Sequence, residues 1–112
     1  MKYKIYLTDN FYKEARQLLK KYPNIKQDFL KLKDKLKHDP ITGNDPYGMD
    51  CYKVRMPISD KNQGESGGAR IIIQVKVIDR VVYLISVFDK SEQSTIKSHY
   101  LEKLLRLIGL RK

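Results

Sequence analysis

Three cations near the middle of the chain have the types and the spacing that chemistry on phosphate groups requires. Lys53 and Arg55 lie two residues apart in one strand-like segment, and Arg70 lies near the start of the next. Side chains alternate between the two faces of a strand, so Lys53 and Arg55 point to the same face. Ammonium and guanidinium groups bind phosphate oxygens and stabilise the negative charge that develops on them during phosphoryl transfer. The pattern predicts a cationic patch on one face of a β-sheet.

The segment that contains Arg70 repeats this alternation. Arg70, Gln74 and Lys76 share one parity, whereas the apolar residues at 71, 73, 75 and 77 have the other. A sheet with one solvated face and one packed face shows this pattern. We therefore expect one wet, basic face on which the cations of two strands converge, and one face packed on helices.

The predicted elements form an α+β fold in a single domain that spans residues 1–112. Thr8 can cap a helix that starts near Phe11, and Pro23 separates that helix from a second one. The strands are rich in β-branched and aromatic residues and should pair mostly antiparallel, about four in all. In chain order we expect a strand at 2–7, two helices between 11 and 38, a loop at 40–50, strands at 51–58, 69–78 and 81–88, and a helix from Ser94 to Gly109.

The charge of the chain favours an anionic partner. The formal net charge is +10, and eleven of the 23 Lys and Arg residues lie within the first forty positions. A nucleic acid or an acidic protein would bind such a surface, although the lysines at 26–37 fit the solvated side of an amphipathic helix equally well. No stretch has the length of a membrane span, and the N-terminus lacks the apolar run of a signal peptide, so we expect a cytoplasmic protein.

Metal-based and thiol-based chemistry have little support in the sequence. Cys51 is the only cysteine, which excludes an internal disulfide, and we interpret it as a small strand residue. The acidic residues are scattered, and His38 and His99 have no metal-ligand spacing. We therefore predict no metal site and no cofactor.

Three segments in the second half of the chain resemble the RelE/ParE superfamily of type II toxins, most closely its RelE and HigB-like branch. They are residues 51–56 (CYKVRM), 67–72 (GGARII) and 82–92 (VYLISVFDKSE), in the order found in the family. The first half is similar to the family only in its order of elements. The resemblance implies a bacterial toxin that enters the ribosomal decoding site and cuts mRNA. It also implies a cognate antitoxin, expected to be a helix-turn-helix protein encoded next to the toxin.

The resemblance also implies a reaction that needs no metal ion, in which the ribose 2′-hydroxyl attacks the adjacent phosphodiester. It assigns Lys53, Arg55, Arg70 and Lys90 to the catalytic site, with Lys90 just after the last strand. The expected crowding of Lys53 beside two guanidinium groups makes it a candidate general base.

Two further side chains are secondary candidates for the site. Glu92 could orient a cation or lie at a solvated helix start, and His99 could transfer a proton or lie on the surface. The tyrosine that the family places in the final segment has no counterpart here, where Ile96 and Lys97 stand instead. The residues expected to contact RNA or the ribosome are Lys26, Lys33, Lys37, Lys61 and Lys76.

Two other functions fit the same sequence features. A ParE-like member of the superfamily would inhibit DNA gyrase without cutting RNA and would not need the three cations on one face. A noncatalytic RNA- or ribosome-binding domain would need cations together with aromatic side chains that stack on bases. Tyr52 has the parity opposite to the cations, which favours the nuclease over the binding domain.

Overall fold

The computed structural model describes residues 2–62, 64 and 67–111, and its helices and strands follow the predicted order. The α+β fold class is confirmed. None of the helices in these ranges combines the length and the apolar content that a membrane-spanning helix needs. In chain order the elements are β1 (Lys4–Leu7), α1 (Asp9–Lys21), α2 (Ile25–His38), β2 (Asp45–Gly48), β3 (Cys51–Met56), β4 (Ala69–Lys76), β5 (Val81–Asp89) and α3 (Ser98–Arg111), with a turn of 3₁₀-helix at Ser59–Lys61.

In the described part of the chain, five strands form one mixed sheet in the order β1-β5-β4-β3-β2. β1 pairs with β5 in parallel, and the other neighbouring strands are antiparallel. The number differs from the expected four because the predicted loop at 40–50 contains β2. This short edge strand includes Pro46, which is tolerated where one side of a strand is unpaired. It lacks the apolar alternation that would reveal a strand in the sequence.

Local signals identified in the sequence set the start of α1 and the end of α2. The Thr8 hydroxyl accepts a hydrogen bond from the Phe11 N–H at 3.2 Å, which satisfies one free donor at the start of α1. The same hydroxyl donates to the Leu84 carbonyl at 2.9 Å, so the cap also attaches α1 to β5. α2 ends at His38, two residues before Pro40, because the residue preceding a proline is disfavoured in a helix.

The boundaries predicted for the C-terminal helix are wrong. α3 begins at Ser98 instead of Ser94, and it continues through Gly109, since an interior glycine costs a helix only about 1 kcal/mol. The residues before α3 are engaged by Tyr47 of β2. Its hydroxyl donates to the Ile96 carbonyl at 3.0 Å and accepts from the Ile96 N–H at 3.3 Å. This contact takes both backbone groups of Ile96 out of helical pairing.

Helices cover both faces of the sheet, so the expectation of one wet face is wrong. α1 and α2 pack on the larger core, to which Ile71 of β4 belongs. α3 packs through Leu101 and Leu104 on a smaller core at the other face, to which Ile72 belongs. Ile71 and Ile72 are neighbours in sequence, and both are fully buried. β4 is therefore a central strand with a hydrophobic core on each side.

Candidate active site

The strand register brings the three predicted cations to the same face. Arg55 of β3 lies directly opposite Arg70 of β4, and Lys53 lies opposite Ile72. Directly opposed residues of antiparallel strands have Cβ atoms about 5 Å apart. Cys51 and Ile72 share the parity of these cations, and both belong to the core under α3. The predicted convergence on one face is confirmed, and we refer to Lys53, Arg55 and Arg70 together with Lys90 as the cationic cluster.

Members of the cationic cluster differ in exposure. The Arg55 side chain is 51% exposed and Lys53 is half-buried, whereas Arg70 is only 4% exposed. Arg70 lies on a central strand with Phe88 of β5 opposite it, and its Nη1 donates to the Ala69 carbonyl at 3.1 Å. The prediction that Arg70 faces water is therefore wrong, because strands flank it on both sides.

Arg55 and Lys53 contact β2, the strand that the sequence did not reveal. The Arg55 guanidinium lies 3.3 Å from the Asp45 carboxylate, and both side chains are about half exposed. Lys53 Nζ lies 5.7 Å from the centre of the Tyr47 ring, within cation–π range. Sequence reasoning missed Asp45 and Tyr47 because a segment rich in turn formers gave no sign of their strand partners. An exposed ion pair contributes only about 0–1 kcal/mol, so a phosphate can compete for Arg55.

Lys90 is exposed and directly follows β5, close to where β4 begins. Its backbone N–H donates to the Gly68 carbonyl at 3.1 Å. Gly68 has no room for a side chain, since an added Cβ would lie 2.2 Å from the Met56 carbonyl oxygen. Glycine at this position therefore lets the ends of β3, β4 and β5 approach one another, and Lys90 projects from that junction.

Lys61 is held in a buried ion pair and is not the surface contact that we predicted for RNA. Its Nζ lies 2.6 Å from Oδ1 of Asp89 and donates to the Gly67 carbonyl at 2.9 Å and the Ser91 hydroxyl at 3.2 Å. The Lys61 side chain is 12% exposed, and that of Asp89 is fully buried. An ammonium group has three donors, and all three are used inside the protein. Lys61 is therefore removed from the set of proposed RNA contacts.

The secondary candidates Glu92 and His99 lie outside the strands. Glu92 forms an exposed ion pair with Lys21 of α1, with 2.5 Å between Nζ and Oε1, and this hydrogen bond raises the pKa of Lys21. Glu92 thus orients a cation, but that cation belongs to α1 and not to the cationic cluster. His99 is exposed in the first turn of α3 and shares a shallow surface cleft with Lys97.

The remaining lysines predicted to contact RNA lie in two separate places. Lys76, at the end of β4, lies 3.7 Å from the Asp50 carboxylate. Lys26, Lys33 and Lys37 belong to α2, which packs on the face opposite the cationic cluster. The predicted RNA contacts are therefore divided between the two faces of the sheet.

An apolar groove with a volume of about 350 Å³ lies along α1 and α2. Tyr12, Leu19 and Leu30 line the groove and remain between 42% and 57% exposed. Exposed apolar surface of this kind with a polar rim marks an interaction site. The charged residues that line the groove are all basic, namely Arg16, Lys26 and Lys33.

Three solved structures of RelE toxins, free or in complex with an antitoxin, share this fold. The free form of a doubly substituted RelE toxin from Escherichia coli matches 96% of this chain and 99% of its own, at 25% identity and a TM-score of 0.64. The same toxin with a peptide of the antitoxin RelB matches 92% of this chain and 94% of its own, at 26% identity and a TM-score of 0.61. A RelBE toxin-antitoxin complex from Mycobacterium tuberculosis shares the fold at 14% identity and a TM-score of 0.62, over 80% of this chain and 99% of its own.

No family model matches the sequence, and no curated protein matches it. The relationship is therefore carried by the fold, which extends over nearly the whole chain. The likeness to RelE toxins supports a toxin of the RelE superfamily.

Proposed function

We propose that this chain is the toxin of a type II toxin-antitoxin pair and that it cuts mRNA in the ribosomal decoding site, in the cytoplasm. The observation that carries the proposal is the register of β3 and β4, which sets Arg55 opposite Arg70 with Lys53 on the same face. Convergent guanidinium and ammonium groups suit a phosphodiester, because charge-assisted hydrogen bonds to phosphate oxygens are strong and directional. The likeness to RelE toxins supports the same reaction class.

The proposed reaction is a transesterification within the RNA strand. The ribose 2′-hydroxyl loses its proton to a base, and its oxygen attacks the adjacent phosphorus. The bond from phosphorus to the 5′-oxygen of the next nucleotide breaks, and that oxygen takes up a proton. The products are a cyclic phosphate and a free 5′-hydroxyl. The cationic cluster would supply the charge stabilisation that this step requires, without a metal ion.

We propose different roles for the cations on the basis of their exposure. Arg55 and Lys90 are exposed and would bind the phosphate first, with the phosphate replacing Asp45 as the partner of Arg55. Lys53, half-buried on the same face, is the proposed acceptor of the 2′-hydroxyl proton. Arg70 reaches the phosphate only after its covering atoms shift, so it would bind the transition state more strongly than the initial complex.

Mapping of mRNA ends in a translation extract, with and without ribosomes, tests this proposal. The wild-type chain should cut mRNA only when ribosomes are present. Arg55→Ala should cut about 100-fold more slowly, because the phosphate loses a preorganised charged donor. The matched control is Arg106→Ala, which removes an exposed arginine of α3 and should leave the rate unchanged.

The same assay separates the roles of the cations and the competing functions. Lys53→Arg keeps the charge but lacks a titratable amine, so a near-normal rate in this variant would exclude Lys53 as the base. Intact transcripts together with stalled gyrase would favour the ParE-like function. Intact transcripts on ribosomes that retain the bound chain would favour a noncatalytic binding domain.

We infer that the cognate antitoxin places an acidic amphipathic helix in the apolar groove along α1 and α2. The apolar side of such a helix would cover Leu19 and Leu30, which are exposed in the free chain. Its acidic residues would face Arg16, Lys26 and Lys33, and this charge complementarity favours an acidic segment over a neutral one. We expect a helix-turn-helix protein encoded in the neighbouring reading frame to supply this segment.

A further inference from the structure

A buried polar cluster lies at the end of β5. The fully buried Asp89 carboxylate accepts hydrogen bonds from the Tyr22 hydroxyl and from Lys61 Nζ, each at 2.6 Å. Its Oδ1 also accepts from the Ser91 hydroxyl at 2.7 Å and from the Ser91 N–H at 3.0 Å. These partners come from the end of α1, the segment after β3 and the turn after β5. One carboxylate therefore joins three separate parts of the chain.

Lys90 lies within this hydrogen-bonded segment. It lies between Asp89 and Ser91, and its N–H is bonded to Gly68. Lys61 in turn holds the carbonyl of Gly67, the residue next to Gly68. The Asp89 side chain points towards Tyr22, which belongs to the core under α1 and α2. Lys90 itself lies in the turn that follows β5, and its side chain is exposed.

Within the buried cluster, the charged groups are paired and the polar groups are hydrogen-bonded. Burial alone would raise the pKa of the Asp89 carboxyl, but hydrogen bonds from Lys61, Tyr22 and Ser91 outweigh it and hold the pKa well below its ordinary value. Burial and the bond to Asp89 raise the pKa of Tyr22, so its hydroxyl stays protonated and continues to donate at neutral pH. A buried network whose members all have partners is rigid, because moving any one of them leaves a polar group unpaired.

We propose that Asp89 and Lys61 are positioning residues for RNA cleavage, fixing the backbone on both sides of Lys90 so that its ammonium group meets the scissile phosphate. This inference rests on the proposed function. Neither residue contacts RNA, since both side chains lie inside the protein. A displacement of about 1 Å in a reacting group costs about 100-fold in rate, so loosening this cluster should slow cleavage while substrate binding persists.

A double-mutant cycle between Asp89→Asn and Lys90→Ala tests the proposal. Asp89→Asn should lower kcat for cleavage of ribosome-bound mRNA by about 100-fold and leave KM unchanged. In the Lys90→Ala background the same substitution should have little further effect, because the two residues act as one unit. Losses that multiply in the double variant would overturn the proposal, since a purely structural defect would not depend on Lys90.

A control variant, a second variant of the buried cluster and a measurement of amide hydrogen exchange complete the test. Lys21→Met removes the exposed ion pair that joins α1 to the same turn, and it should cleave at the wild-type rate. Tyr22→Phe deletes one hydrogen bond to Asp89 but keeps the packing, so it tests the cluster even where Asp89→Asn unfolds. In both Tyr22→Phe and Asp89→Asn, the Lys90 amide should exchange its hydrogen faster than in the wild type.

The outcomes separate this inference from the proposed function. If the wild-type chain cuts mRNA and Lys90 exchange is unchanged in Tyr22→Phe and Asp89→Asn, the inference alone is overturned. If the wild-type chain leaves mRNA intact on ribosomes, the proposed function fails and the inference fails with it.

Discussion

The two faces of the sheet contain similar residues but arrange them differently. On the side of α1 and α2, lysines are numerous, yet they are spread along helices and around an apolar groove. On the side of α3, fewer cations come together because backbone pairing sets Arg55 opposite Arg70. Proximity imposed by strand register, and not the local density of positive charge, therefore distinguishes the candidate active site.

The same comparison separates two cations that the sequence treats alike. Lys61 donates to a buried carboxylate and to two other groups, and it is held in the interior. Arg55 is paired with Asp45 at the surface, where water and anions compete for both partners. A cation available to RNA is one whose present partner is exposed.

The largest expected effect concerns Ile71 and Ile72, adjacent residues that are fully buried on opposite faces. Ile71→Ala should lower the free energy of unfolding by about 4 kcal/mol and Ile72→Ala by about 2.5 kcal/mol. The larger core, confined by two helices, can collapse less around the cavity than the core under α3. Chemical denaturation of the two variants measures the difference. Equal losses would show that α3 confines its core as tightly as α1 and α2 do.

The next effect concerns the pH dependence contributed by Asp89. Asp89→Asn should lower the free energy of unfolding by about 3 kcal/mol at neutral pH, because it leaves Lys61 without its buried partner. The pKa of Asp89 is lower in the folded than in the unfolded chain, so its stabilisation is complete above the unfolded value of about 4. This stabilisation is lost as the pH falls from about 4 towards the pKa of Asp89 in the folded chain.

Denaturation at several pH values measures this contribution. The difference between wild type and Asp89→Asn should stay constant from neutral pH to about pH 5 and then shrink below about pH 4. A difference that stays constant under strongly acidic conditions would contradict the assignment of an ionised Asp89 in the folded chain.

The smallest of these effects concerns the apolar groove. Leu30→Glu should weaken binding of an acidic antitoxin helix by about 100-fold, since it places like charge in the contact and removes an apolar anchor. Cleavage without antitoxin should be unchanged. The matched control is Val77→Glu, at a similarly exposed apolar residue after β4. Calorimetry with the protein from the neighbouring reading frame measures both, and an unchanged affinity for Leu30→Glu would move the antitoxin to another surface.

Residue patterns predicted those parts of the fold that depend on neighbours in sequence. The Thr8 cap and the end of α2 before Pro40 follow from backbone chemistry within a few residues. Alternation in β3 and β4 correctly placed Lys53 and Arg55 on one face with Arg70. The resemblance in the second half of the chain led to the superfamily that the fold supports. The roles of the cationic cluster stay predictions.

The sequence could not predict features that depend on contacts between distant segments. β2 is a strand because its backbone pairs with β3, and Tyr47 then delays the start of α3. Burial of Arg70 required knowledge that β4 is central and that α3 lies on the same face. Burial of Lys61 required Asp89, which lies 28 positions away along the chain.

By itself, the sequence determined the order of the elements other than β2 and the face to which Lys53, Arg55 and Arg70 point, because both are set by short-range backbone geometry. Only the tertiary structure decided which cations are exposed and which are enclosed. The exposure of a side chain depends on which helices and strands pack over it. These elements are often far apart in sequence, so the sequence does not show that they are close in space.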